Sequence, residues 1–189
     1  MALPKIDNPT YTLELPSTGE VVKYRPFLVK EQKVLMLAQQ SDKAVDRNNA
    51  IVQIIESCTF GKVTDKSPLF DIEYVFLKLR SKSAGETVNV TLTCPDDGET
   101  KDTVKINLDD VDVNMTEHHT NKINITDSVQ MTMRYPLIND IDANVKEDQL
   151  TTVMEFFNSM PKLRHPVKVK NKNTGVESEV ILEGLENFL

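Results

Sequence analysis

The run with the most chemical potential in this chain is Cys94-Pro-Asp-Asp-Gly98, where a thiol and a carboxylate stand three positions apart in a turn that closes on glycine. This is the outline of a zinc knuckle, Cys-x-x-Cys-Gly, with Asp97 where the second thiolate belongs. A closed structural zinc site needs four ligands, mostly Cys or His. A similar run, Asn171-Lys-Asn-Thr-Gly175, offers no thiolate at all. A plain hairpin turn is therefore expected, and no metal. The one histidine cluster, Glu117-His118-His119, puts its two rings on opposite faces if the segment is extended, which suits a structural role better than shared ligation. Asp140-Ile-Asp142-Ala-Asn144 begins like a calcium loop, but Val145 stands where glycine is required and Thr151 where a bidentate Glu is required, so it reads as a solvated acidic linker.

The basic residues Lys162, Arg164, Lys168, Lys170 and Lys172 form the remaining concentration of charge. Lys168 and Lys170 alternate with Val167 and Val169, as on the solvent face of a strand, where lysine also discourages edge-to-edge pairing. A nucleic-acid-binding module would have to use this stretch, yet no aromatic residues interleave to stack bases. The six glycines make neither a phosphate-binding loop nor a dinucleotide fingerprint, and no nucleophile elbow or His-Glu-x-x-His pattern occurs. No catalytic residue, metal ligand or cofactor is assigned, and the chain is not expected to be an enzyme.

The elements that carry these runs follow from hydrophobic periodicity. Tyr11, Leu13 and Leu15 alternate with polar residues, Pro16-Ser-Thr-Gly19 turns, and Val21 to Tyr24 resumes an extended run, giving a hairpin over 10–25. Three helices are expected next. Over 29–40, Val34, Leu35, Leu37 and Ala38 supply the apolar face. Over 49–58, Ile51, Ile54, Ile55 and Cys58 stand at i, i+3, i+4 and i+7. Over 68–83, Ser67 is the expected N-cap, Pro68 the first helical residue, and Leu69, Ile72, Phe76 and Leu79 the core face, with Gly85 as the stop.

The period then changes from 3.6 to 2. Val88, Val90 and Leu92 pair with Val104, Ile106 and Leu108 in a hairpin over 87–108. In a second, over 121–136, Ile123, Ile125, Val129, Met131, Met133 and Tyr135 all carry odd numbers, which predicts one buried and one wet face. A late helix over 148–160 rests on Leu150, Val153, Met154 and Phe157 and ends at Pro161. A last hairpin over 166–182 sets Val167 and Val169 against Val176, Val180 and Leu182. The 87–108 and 166–182 hairpins echo each other, as a true repeat or as two similar hairpins. The fold class is α+β: antiparallel β-hairpins with a cluster of amphipathic helices. Residues 1–86 form a hairpin-plus-helix region and 87–189 a hairpin-rich region with the late helix, either as two lobes or as a single compact domain.

Composition narrows the function classes. At 39% hydrophobic and 27% charged, the 189 residues are those of a folded protein. A net charge of −7 disfavours sequence-independent binding to nucleic acid or anionic membrane. No apolar run approaches the length of a membrane span, and the first residues lack a secretory h-region, so a cytoplasmic chain with free Cys58 and Cys94 is expected.

Several stretches, in chain order, resemble a known family. They are Tyr11-Thr-Leu-Glu-Leu-Pro-Ser-Thr-Gly19 leading to Tyr24-Arg-Pro-Phe-Leu-Val-Lys-Glu31; Cys58-Thr-Phe-Gly61; Phe70-Asp-Ile-Glu-Tyr74 through Leu79-Arg-Ser-Lys-Ser83 to Gly85; Met133-Arg-Tyr-Pro136; and the ending Leu182-Glu-Gly-Leu-Glu-Asn-Phe-Leu189. Together they are similar to the baseplate hub proteins of T4-like contractile-tailed phages, nearly end to end. The family pattern often carries a Cys pair in the second half, from which this chain departs. The resemblance implies a virion baseplate component assembled in the host cytoplasm, in contact with other baseplate or tail proteins, with no specific nucleic acid, no membrane and an open oligomeric state. It equally allows a hub or tail assembly chaperone absent from the mature virion. Candidate partner-binding residues are Arg25 and Phe27 at the corner after the first hairpin, Arg80 and Lys82 near the end of the third helix, and Leu185, Phe188 and Leu189 in the apolar tail. Ordinary packing is the competing reading for each. Large apolar residues at a chain end need some cover, in cis or in trans.

Overall fold

In the computed structural model, the described residues are 9–41, 43–116, 119–126, 129–140 and 156–188. The chain opens with an antiparallel hairpin, β1 (Tyr11–Glu14) and β2 (Val21–Tyr24), in which Leu13 pairs with Val22 and both are buried. Three helices follow: α1 (Val29–Gln39), α2 (Ala44–Cys58) and α3 (Leu69–Ala84). The second half supplies a hairpin, β3 (Thr87–Thr93) with β4 (Lys101–Asn107), the short strand β5 (Asp112–Asn114), and the hairpin β6 (Lys122–Thr126) with β7 (Val129–Thr132). It ends with β8 (Lys162–Lys170), β9 (Glu177–Glu183) and a 3-10 turn over Leu185–Phe188. β5, β8 and β9 form one antiparallel sheet in that order, and the other hairpins are two-stranded. Helices among short antiparallel sheets define an α+β fold.

α3 is the axis of the core. Its sequence is apolar on nearly all sides, and Phe70, Ile72, Val75, Phe76, Leu77 and Leu79 are all buried. A helix buried all round must be surrounded, and here α2, β5, β8 and the C-terminal turn surround it. Fully burying each large side chain is worth roughly 1.5–3 kcal/mol, so α3 carries the largest share of the hydrophobic stabilisation. The core is one continuous cluster running from Leu13 in the first hairpin to Phe188 at the end of the chain, and it draws on residues from both sides of position 87.

The start of α3 differs from the sequence expectation. Pro68 is the cap rather than the first helical residue, and the Ser67 hydroxyl accepts from the Thr64 amide instead of capping the helix. Cover comes from a distance, since the Leu69 amide donates to the Pro136 carbonyl at 2.9 Å. Within the first turn, the buried Asp71 carboxylate accepts from the Ser17 amide and hydroxyl, which ties the first hairpin's turn to α3.

α2 buries its whole expected stripe, Ile51, Ile54, Ile55 and Cys58, and starts five residues earlier than expected, at Ala44. α1 occupies its expected span but does not bury its expected face. Leu35 and Ala38 are half-buried, whereas Val34 and Leu37 are exposed. At about 100° per residue, these four positions follow one another around the helix as Leu37, Val34, Ala38 and Leu35, and packing against α2 covers only the Ala38 and Leu35 side.

The hairpins lie close to their expected positions. Along 121–136, Ile123 is buried and Met131, Met133 and Tyr135 half-buried, while Asn124, Gln130, Thr132 and Arg134 are exposed, so these odd-numbered residues face inward; the side chains of Ile125 and Val129 lie outside the described ones. β8 begins at Lys162, four residues before the expected hairpin, and the added length lets β5 pair with it through Val113 and Leu163. Val176, expected within the returning strand, lies outside β9 and is exposed. Of the late helix, the described part is helical at 156–159, with Phe156 buried and Phe157 half-buried; Leu150, Val153 and Met154 lie outside the described residues.

Candidate functional site

The corner after β2 is a junction of four elements. The Arg25 amide donates to the Cys58 carbonyl at the end of α2 (3.0 Å), and the Phe27 amide donates to the Ser83 hydroxyl near the end of α3 (3.0 Å). The Arg25 guanidinium donates to both Glu31 carboxylate oxygens, at 2.7 and 3.2 Å, and to the Ser57 hydroxyl at 2.8 Å. Glu31 also accepts from the Leu28 amide, which completes a cap for α1. Burial pushes the Glu31 carboxyl upward, but hydrogen bonds from Arg25, Leu28 and Ser57 outweigh it and hold the group down at about 2. Side-chain exposure is only 12% for Arg25 and 8% for Glu31, so this pair joins the hairpin to α1 and α2 from within.

The second predicted group is likewise engaged within the chain, Lys82 at the surface and Arg80 half-buried. Lys82 pairs with Glu86 at 2.8 Å and with Asp109 at 2.9 Å, and Asp109 also accepts from the Ser81 hydroxyl. The Arg80 guanidinium donates to the Phe188 carbonyl at 2.5 Å. For Leu185 and Phe188 the sequence leaves cover in cis or in trans open, and in the structure both are buried by the chain itself. Phe188 is 0% exposed within the core, and the Leu185 amide donates to Glu73 on α3. Burial raises the Glu73 carboxyl above its ordinary value, with the Leu185 amide opposing. Leu189 lies outside the described residues.

Of the runs with metal or base chemistry, the described residues His119 and Asp140 make contacts within the chain. His119 stacks on Tyr135 and meets Phe156 at a tilt, the three rings forming a triangle, with Nδ1 at 3.0 Å from the Ser159 hydroxyl, and burial lowers its pKa. Glu117 and His118 lie outside the described residues, as do Asp142, Asn144, Val145 and Thr151. Asp140 is paired with Arg134 at 2.6 Å. Among the described residues, no group of three or more His, Cys, Asp or Glu side chains is placed to hold a metal ion. In the basic stretch, Lys162 and Arg164 both pair with Glu183, Lys170 pairs with Glu177, and Lys172 with Asp102. Acids on β9 and β4 thus pair with four of the five basic residues.

What the sequence reading missed is an apolar surface. On α1, Val29, Met36 and Leu37 are 69%, 57% and 68% exposed, Val34 is exposed beside them, and Val45 continues the apolar character at the start of α2. Single exposed apolar residues are normal, whereas a concentration on one helix makes that helix a candidate contact surface. The signal was present in the sequence as Val29 and Met36, apolar residues that fall outside the arc of Val34, Leu35, Leu37 and Ala38 on the same helix. No helix among the described residues is long and apolar enough to cross a membrane.

Fold and surface together define an α+β scaffold in which the described Arg25, Arg80 and Lys82 are engaged within the chain and several apolar side chains of α1 are exposed. The chain belongs to the T4 bacteriophage base plate protein family, whose model matches residues 8–150 and 137–189. No curated protein matches the chain. No solved structure matches it either.

Proposed function

We propose that this chain is a structural subunit of the baseplate hub of a contractile-tailed phage, acting through protein–protein contacts rather than catalysis. The observation that carries the reading is the exposed apolar face of α1, on a chain whose family is a baseplate family. An interaction protein needs a rigid scaffold with exposed apolar anchors, and in interfaces a few large side chains supply most of the binding energy. Met36 and Leu37 are such anchors. Arg25, Arg80, Leu185 and Phe188 act one step back, fixing the hairpin, helices and chain end into one platform, with Phe27 and Lys82 at its edges. Other phage baseplate or tail proteins are the partners, and the site of action is the virion baseplate, with assembly in the host cytoplasm.

The test has two parts. Met36→Glu with Leu37→Glu should abolish co-purification with other baseplate proteins while leaving the melting temperature of the isolated chain nearly unchanged. Mass spectrometry of purified virions should find the chain in the particle. Intact co-purification of the double variant would remove α1 as the interface. Absence from virions, with assembly still dependent on the chain, would reassign it as an assembly chaperone.

A further inference from the structure

The two turns that echo each other in the sequence also meet in space. In both, the residue at the glycine position takes a left-handed backbone, with φ of 69° at Gly98 and 77° at Gly175. In both, the glycine amide donates to the carbonyl of the first turn residue, Gly98 to Cys94 at 3.0 Å and Gly175 to Asn171 at 2.8 Å. These are two copies of one knuckle, differing in that the Cys94 amide returns to Thr100 and the Asn171 amide to Val176. The first residue of each turn is buried: Cys94 and Asn171 are both 1% exposed.

The turns are joined by side chains. The Asn171 amide group donates to Asp96 at 2.9 Å and to Asp97 at 2.8 Å, and the Thr174 hydroxyl donates to Asp96 at 2.5 Å. Asn173 reaches the Thr100 hydroxyl at 2.9 Å, and the Lys170 amide donates to Asp102 at 3.1 Å. Asp97 is filled further by the Glu99 and Thr100 amides and the Thr100 hydroxyl, which together hold its carboxyl well below the usual range. Two such knuckles facing each other, with ligands at the first and fourth turn positions, is how a four-thiolate structural zinc site is built. Here those four positions are Cys94, Asp97, Asn171 and Thr174. The donor set does not suit zinc. Burial pushes the one thiol upward, away from the thiolate a metal needs, and the carboxylate lone pairs are occupied by N–H and O–H donors.

We propose that these turns form a metal-free knuckle pair: the backbone frame of a four-ligand zinc site, in which hydrogen bonds from Asn171 and Thr174 to Asp96 and Asp97 do the joining that a metal would do. The frame locks the β3–β4 hairpin to the β8–β9 hairpin at their tips, independently of any cation.

The inference is tested by completing the ligand set. Asp97→Cys, Asn171→Cys and Thr174→Cys are combined so that native Cys94 becomes the fourth thiol. The purified variant should retain one zinc per chain through gel filtration, and cobalt(II) should give the intense visible bands of tetrahedral thiolate coordination. A folded variant that gives only the weak bands of octahedral cobalt would overturn the proposal, because the four positions would not converge. Should the triple variant not fold, Asn171→Cys alone decides. Under oxidised glutathione its new thiol should bond to Cys94, leaving Cys58 as the single titratable thiol after denaturation, and three remaining thiols would count against the frame. In the wild type, EDTA should leave the melting temperature where it was, and Asn171→Ala should lower it equally with and without EDTA. A wild-type melting temperature that falls in EDTA would refute the metal-free assignment.

Discussion

Replacing Glu31 by Gln removes the charge from the junction between the first hairpin, α1 and α2, at nearly constant volume. The wild-type carboxyl sits at about 2 in the folded protein against an ordinary 4.5. A group held below its unfolded value stabilises the fold fully above that value, and the contribution is lost as pH falls toward the folded one. The difference corresponds to an upper limit of about 3 kcal/mol at neutral pH, at 1.36 kcal/mol per pH unit, falling to about 1 kcal/mol at pH 3. The remaining exposure of the pair reduces this, and a cost of about 2 kcal/mol for Glu31→Gln at pH 7 is expected, including the unpaired Arg25 it leaves behind. The assay is urea denaturation of both proteins at pH 7 and pH 3. Comparing variant with wild type at each pH cancels the other carboxylates. The gap between them should shrink to about 0.8 kcal/mol at the lower pH. A gap that stays constant with pH, or that is below 0.5 kcal/mol at pH 7, would mean that Glu31 is not held by this network and that the junction is packing alone.

Phe188→Ala should cost about 3–5 kcal/mol of stability in the isolated chain, read by thermal or urea unfolding, because the ring is wholly within the core. Removing Gly184 to Leu189 should lower the melting temperature for the same reason. Gly98→Ala should cost about 1 kcal/mol through its left-handed backbone alone, since an added Cβ would meet nothing within 4 Å, and the β3–β4 hairpin should otherwise stay intact by circular dichroism.

The sequence by itself determined what depends on neighbours a few residues apart. The stripe Ile51, Ile54, Ile55 and Cys58 specifies a helix because those side chains fall on one side of it, and all four are buried. The odd-numbered residues of 121–136 specify an inner face because strand period is two, and the turns at Gly98 and Gly175 specify hairpins because each needs a residue free to take positive φ. Tertiary structure alone decided which surfaces those faces would meet. Val34 and Leu37 look no less apolar in sequence than Leu35, yet only Leu35 found cover, because a helix packed on one side leaves the rest of its circumference to solvent. Arg25 looks like an exposed anchor until Glu31 and Ser57 close on it, and Phe188 looks like a loose end until α3 receives it. The pairing of Asp96 and Asp97 with Asn171 joins residues more than seventy positions apart. No local pattern carries that information, since side-chain period states which face must be covered and only the packed chain supplies what covers it.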